Sequence, residues 1–231
     1  MPKQDAKVSE SMAEGVKLGI TDAKKFIIES AYNTIGVYPS GLGAALVLCT
    51  VTIDYKEHPN DTNSQNKSKS YHRVYTNEDH KNHAEWNFLQ DLIKEIKNLS
   101  VVKITANLVQ NYSPCNNGRD GNSGCADNIV KFKKIIDKNR PRFSLTIKFA
   151  NFYLHQNELN KEGLRKLVKN NIKLKLIQGR EDWKIFLNDK TFMALTKDEY
   201  TELLASATST KRTQREKADA KILHEIISVA L

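Results

Sequence analysis

The sequence predicts an α/β domain in which a five-stranded sheet is flanked by helices, with substantial parallel pairing among the strands. Two patterns carry this expectation: five short segments that run apolar or alternate as strands do, and segments with helical spacing of apolar residues interspersed among them. The chain of 231 residues, 39% of them hydrophobic, is also large enough to bury a substantial core.

Met1 to Gly19 is polar and unpatterned, so residues 1–20 are expected to form a flexible tail. Thr21 or Asp22 can cap a helix in which Phe26, Ile27, Ala31, Tyr32 and Ile35 keep helical spacing, ending near Gly36. Ala44 to Ile53 reads as a buried strand. Lys56 to Ser70 is rich in Asn, Ser and Lys and predicts a long mobile loop, after which Tyr71 to Thr76 resumes a strand. From Asn82 to about Asn98 the period turns helical, with Ala84, Phe88, Leu92 and Ile96 flanked by Leu89 and Ile93. Val102, Ile104, Ala106 and Leu108 alternate with Lys103, Thr105 and Asn107, which is the strand period.

Ser113-Pro114-Cys115 leads into a glycine-rich loop and then a helix from about Cys125 to Lys138. Phe143, Leu145, Ile147 and Phe149 alternate as a strand, Asn160 to Lys169 is a short basic helix, and Ile172 to Ile177 alternates again. The last 50 residues read as helical with a break around Ser206 to Thr210. The expected division is therefore a tail over 1–20, one domain over 21–206 and a helical extension over 207–231.

Composition excludes several classes. The longest apolar run, Leu42 to Val51, is about half the roughly 20 residues that span a bilayer, and the first residues hold no apolar signal core. No membrane is expected as a partner. Three cysteines are too few for a disulfide scaffold, which points to a reducing compartment, the cytoplasm or nucleus. Net charge is +9 and uneven: residues 131–184 hold 15 Lys/Arg against 5 Asp/Glu. Such a segment is either a surface for a polyanion or a solvated face.

The chemistry lies in His83-Ala84-Glu85, which opens one predicted helix, and in Pro114-Cys115 followed by Cys125 at the start of the next. One imidazole and two thiolates suit tetrahedral Zn2+ and leave a fourth position for water, whose pKa the ion lowers to about 7. Glu85, beside the ligands without being one, can carry a proton between that water and a substrate. Each residue alone has a bland reading as a surface or core side chain. Their order matches the His-x-Glu and Pro-Cys-x-x-Cys pattern of zinc nucleobase deaminases, with a longer interval between the cysteines.

Together with Ser113-Pro114-Cys115, Cys125-Ala126, Ala150-Asn151-Phe152-Tyr153, Glu162-Gly163-Leu164-Arg165-Lys166-Leu167 and Trp183-Lys184-Ile185-Phe186, these elements resemble, in order, the AID/APOBEC family of polynucleotide cytidine deaminases. The resemblance runs from about Leu46 to Asp189 and implies the cytidine deaminase-like fold, a five-stranded mixed sheet flanked by helices. It implies Zn2+ held by His83, Cys115 and Cys125, Glu85 as the proton shuttle, and a base pocket from Asn77, Ala84, Tyr112, Ser113, Phe152 and Tyr153. It implies single-stranded DNA or RNA as partner, with Lys161, Arg165, Lys166 and Lys169 on its backbone, and a mutator chemistry used in immunity. The loop from Asn151 to Asn160, with His155, would read the base 5′ of the target.

The chain departs from the family pattern in three places. Nine residues, Asn116 to Gly124, separate the cysteines where two to four are usual; their turn pairs Asn117-Gly118, Asp120-Gly121 and Ser123-Gly124 let them bulge outward. Tyr112 stands where a Trp is usual, and the loop Val37 to Gly43 lacks Lys and Arg. These mark a divergent branch, of invertebrate type by expectation. Two alternatives stay open: an adenosine deaminase of the tRNA-editing type, whose usual Glu before Pro-Cys is here Ser113, and a non-catalytic nucleic-acid-binding relative. Leu223, Ile226, Val229 and Leu231 are spaced like a nuclear export signal, although an amphipathic helix packed on the domain gives the same spacing and is the preferred reading.

Overall fold

The computed structural model describes residues 16–27, 45–57, 66–77, 83–116, 124–138, 141–153 and 157–231. Their elements run α1 (Ile20–Ile27), β1 (Leu46–Lys56), β2 (Asn66–Thr76), α2 (Ala84–Ile96), β3 (Ser100–Tyr112), α3 (Cys125–Lys138), β4 (Arg142–Asn151), α4 (Glu158–Lys169), β5 (Lys173–Leu176), α5 (Gly179–Leu187), α6 (Lys197–Ala207) and α7 (Thr210–Ala230). The sheet order is β2-β1-β3-β4-β5. β1 pairs antiparallel with both β2 and β3, while β3, β4 and β5 are parallel. The expected five-stranded mixed sheet flanked by helices is therefore present. The parallel half is the half that needs crossovers, and α3 and α4 supply them.

Alternation along each strand sorts side chains to two faces. Val47, Cys49, Val51 and Ile53 of β1, with Ile104, Ala106 and Leu108 of β3, join the core beneath α2, α3, α4 and α7. Leu46 and Leu48, Val74 and Ala150 point the other way, into a second cluster with Phe26, Trp183, Phe186 and Leu203 of α1, α5 and α6.

Two expectations change. The stretch from Lys56 to Ser70 is not all loop: β1 extends to Lys56 and β2 starts at Asn66, with Lys56 opposite Asn66 and Thr52 opposite Ser70. β2 is an edge strand, so backbone bonds to β1 hold its polar end without an apolar face. The first helix starts one residue before its predicted caps, with Ala23 N–H on Gly19 O; Ala31, Tyr32, Ile35 and the loop Val37 to Gly43 lie outside the described residues. The break near residue 208 is real, because Ser209 caps α7 by accepting from Arg212 N–H. Leu223 and Ile226 of α7 are buried in the main core, whereas Val229 and Leu231 are exposed, so the four form no shared exposed stripe.

Candidate active site

Three chain ends converge at the carboxyl edge of β3. The strand delivers Cys115 just beyond Tyr112, α3 begins on Cys125, and α2 begins after His83, which occupies its N-cap position. His83 makes no side-chain cap bond there; Asn77 Oδ1 takes the Ala84 N–H instead, at 2.8 Å. The imidazole is thereby left to the site. Its Nδ1 lies 3.0 Å from Cys125 Sγ and 3.2 Å from Cys115 Sγ, and one ligand atom from each of the three residues falls within 4.8 Å of the others.

The donor set fits zinc. Bonds of about 2.0 Å to nitrogen and about 2.3 Å to sulfur put tetrahedral ligand atoms roughly 3.5 to 3.8 Å apart, so these three already share the span of one coordination shell. Their electrostatics agree. Cys125 and His83 act as donors to Cys115 and pull its thiol down to about 4, while sharing that bond and deep burial push Cys125 upward: the sulfur pair holds one thiolate readily and needs a cation to hold two. Both cysteines are buried and unbridged. Glu85 is buried beside them, 3.4 Å from Cys125 Sγ through Oε2, and burial followed by the Cys115 charge pushes its carboxyl up to about 7. A carboxyl poised there can both give and take a proton near neutrality.

The nine-residue insert does not separate the two sulfurs. Its ends touch: Ala126 N–H donates to Cys115 O at 2.9 Å, and a Cβ on Gly124 would lie 2.4 Å from Asn116 C, so only glycine fits that stem. Asn116 is seated on α4, where its N–H donates to Asn160 Oδ1 at 2.8 Å and its side chain fills the space left by Gly163. Residues 117–123 lie outside the described set.

The other predicted residues divide. Ala84 is fully buried, Tyr112 is 5% exposed, and Ser113 Oγ accepts from Tyr153 N–H at 2.9 Å, tying the loops after β3 and β4 together. Tyr153 is half-buried at this seam, but Phe152 is a core residue, 1% exposed and edge-on to Phe149 at 5.0 Å. His155 lies outside the described residues. On α4, Arg165 pairs with Glu158 and Glu162, Lys161 with Glu158, and Lys166 with Asp127; Lys169 is exposed. Three of the four proposed backbone cations thus already have carboxylate partners.

Sequence reasoning missed the residues that hold these loops. Asn160, 1% exposed, joins the loop after β3 to that after β4 by also donating to Tyr153 O at 3.4 Å. Asn151 receives Ser113 N–H on its backbone oxygen and donates through Nδ2 to Asn111 O; Asn111 Oδ1 in turn takes Leu46 N–H. Arg212 of α7 closes the chain, donating to Asn151 Oδ1 and Ala150 O at 2.6 Å each and pairing with Glu216. Glu216 also accepts from Trp183 Nε1 and from the amide of Gly179, whose φ of +71° favours glycine. Arg212 lies in the polar first turns of α7, before its apolar residues begin, so its burial leaves no periodic signal in the sequence.

Comparison with curated proteins gave no match. The family model of the APOBEC3 cytosine deaminase domain matches residues 47–208, a span that takes in His83, Glu85, Cys115 and Cys125 together with every strand of the sheet. With more than half of its length matched, the chain belongs to the APOBEC3 cytosine deaminase domain family.

Proposed function

We propose that the protein hydrolyses cytosine to uracil and ammonia in single-stranded DNA or RNA, using Zn2+ held by His83, Cys115 and Cys125. The observation that carries this is the convergence of those three ligands with a buried Glu85 whose Oε2 lies 3.4 Å from Cys125 Sγ. When bound, the ion supplies Lewis acidity that makes a water nucleophilic at neutral pH. Glu85 would take a proton from the attacking water and deliver it to N3 of the ring, then take the proton of the new C4 hydroxyl and pass it to the amino group as the C4–N4 bond breaks, so that one water is consumed and one ammonia leaves. Ala84, with no side chain beyond Cβ, leaves room between ligand and shuttle. Asn77 fixes the start of α2, and Ser113 with Tyr153 holds the rim where Tyr112 and Tyr153 would stack the base.

The membership in a cytosine deaminase family favours cytosine over adenine. On α4, Lys169 is free to meet a phosphate at once. Lys161, Arg165 and Lys166 would exchange carboxylates for phosphate, and exposed ion pairs of roughly 0.2 to 1 kcal/mol do not resist that. No described helix is long and apolar enough to cross a membrane. Unbridged cysteines suit work in the cytoplasm or nucleus, where C-to-U changes in foreign nucleic acid would serve defence.

The test is incubation of purified protein with single-stranded cytosine-containing DNA and RNA, alongside elemental analysis. One zinc per chain and uracil in at least one of the two products is the expected result. Metal-free protein that still deaminates, or zinc-loaded protein that deaminates neither, would overturn it.

A further inference from the structure

Among the described residues, the sheet face turned away from α2 and α3 is covered at one end only. There Leu48, Val74, Val109, Ala150 and Ile177 meet the cluster under α1, α5 and α6. Two residues further along each strand the same face turns polar. His72 and Ser70, Thr50 and Thr52, Asn107 and Thr105, Thr146 and Ser144 continue it, all exposed or half-exposed. Lys103 and Arg142 stand at its open end and Lys173 and Lys175 on the edge strand nearer the covered end, all exposed and none with an ion pair among the described residues. Lys148 shares the face and pairs with Asp182 at 2.9 Å; Asp54 stands opposite Lys103 in the β1/β3 register as its one facing carboxylate.

The register fixes where these cations lie. Lys103 is opposite Arg142, Lys173 opposite Thr146, and Lys175 opposite Lys148. With strands about 4.8 Å apart and about 3.3 Å per residue, they form a diagonal track roughly 20 Å long, interleaved with hydroxyl and amide groups. Lys103 precedes Tyr112 by a run of β3 roughly 30 Å long, while Lys175 at the other end is level with Lys148, about 10 Å short of the Tyr112 level, so the track runs toward the site end of the sheet but on the face opposite α2 and α3. We propose that this open sheet face is a second, sequence-independent binding surface for the phosphate backbone of a single-stranded polynucleotide. Charge complementarity carries the choice of a polyanion: four exposed cations with no ion pair among the described residues share this one sheet face, and Asp54 is the carboxylate that the strand registers set beside them. The choice of nucleic acid among polyanions rests on the proposed substrate. No aromatic ring stands among these four cations in the described strands, so contact is through phosphate and sugar rather than stacked bases.

The probe is a long fluorescent oligothymidylate, which contains no cytosine, titrated with the full chain at several salt concentrations. The variant K103Q/R142Q/K173Q/K175Q is compared with K94Q/K97Q/K190Q/K197Q, which removes the same charge from other exposed lysines. Four phosphate contacts on a single strand are worth about 2.8 in the logarithmic salt slope, at roughly 0.7 each. The expected result is a slope reduced by about 2 or more in the first variant and by less than half as much in the second, with deamination of a short cytosine oligonucleotide unchanged. Equal slope changes in both variants, or none in the first, would overturn the proposal, as would loss of binding to anionic lipid vesicles with oligothymidylate binding intact. Absence of deamination in the wild type, with the slope effect present, would remove the proposed activity and leave this surface standing.

Discussion

Replacing Arg212 by Met tests whether α7 holds the active-site edge of the sheet. The guanidinium is fully buried, donates to Asn151 Oδ1 and Ala150 O, pairs with Glu216, and lies 5.2 Å over the Trp183 ring. Met keeps most of the volume and none of the donors. Glu216 is then only 6% exposed and keeps the Trp183 and Gly179 N–H groups, with no cation partner among the described residues. Removing one partner of a buried pair costs about 3 to 5 kcal/mol, because the remaining charge stays desolvated. At about 2 to 4 °C per kcal/mol for a chain of this size, the melting temperature should fall by roughly 6 to 20 °C. Adding E216M removes the stranded carboxylate, so the double variant should cost less than the two single variants summed, by about 0.5 to 3 kcal/mol. Denaturant unfolding of the four proteins measures the cycle. Because Asn151 loses its anchor and Ser113 hangs on Asn151 O, R212M should also lower turnover at temperatures where the protein is still folded. A stability loss under about 1 kcal/mol, or strictly additive variants, would refute the reasoning.

Glu85→Gln should keep one zinc per chain and lose at least about a hundredfold in turnover, since a positioned acid/base contributes roughly 10²- to 10⁴-fold; elemental analysis and an oligonucleotide assay check both halves. Gly163→Ala would place its Cβ 2.4 Å from Asn116 Cβ, and Asn116 adjoins the ligand Cys115, so zinc occupancy and stability should both fall; N116G in the same chain removes the colliding atom and should restore them. Lys69, chiefly, and Arg73 hold the Glu95 carboxyl below its ordinary value of 4.5. A depressed carboxyl stabilises fully above its unfolded pKa and loses that contribution as pH falls through the folded one. Acid unfolding below about pH 4.5 should therefore be shallower in E95Q than in wild type; parallel curves would assign the acid sensitivity to other groups.

The sequence by itself determined the alternation of β3 and β4, the apolar stripe of α2, the start of α3 on Cys125 and the break before α7, because each is a local pattern of burial or capping. It also pointed to the candidate metal ligands, since one imidazole and two thiols are donor types that suit zinc once a fold brings them together. It misjudged Asn66 to Ser70, a polar run held as an edge strand by backbone pairing alone, a bond that side chains do not announce. Only the tertiary structure decided that the insert closes on its own stem, because Asn116 meets Gly124, Asn160 and Gly163 across up to 47 positions of chain. It alone decided that Phe152 is core, that most of the α4 cations are already paired, and that Arg212 reaches Asn151. Charge in a sequence is a sum over residues, whereas the field a partner meets is set by which cations find a carboxylate within 4 Å once the chain has folded. The basic segment could therefore be counted from the letters, but which of its cations meet a carboxylate could not.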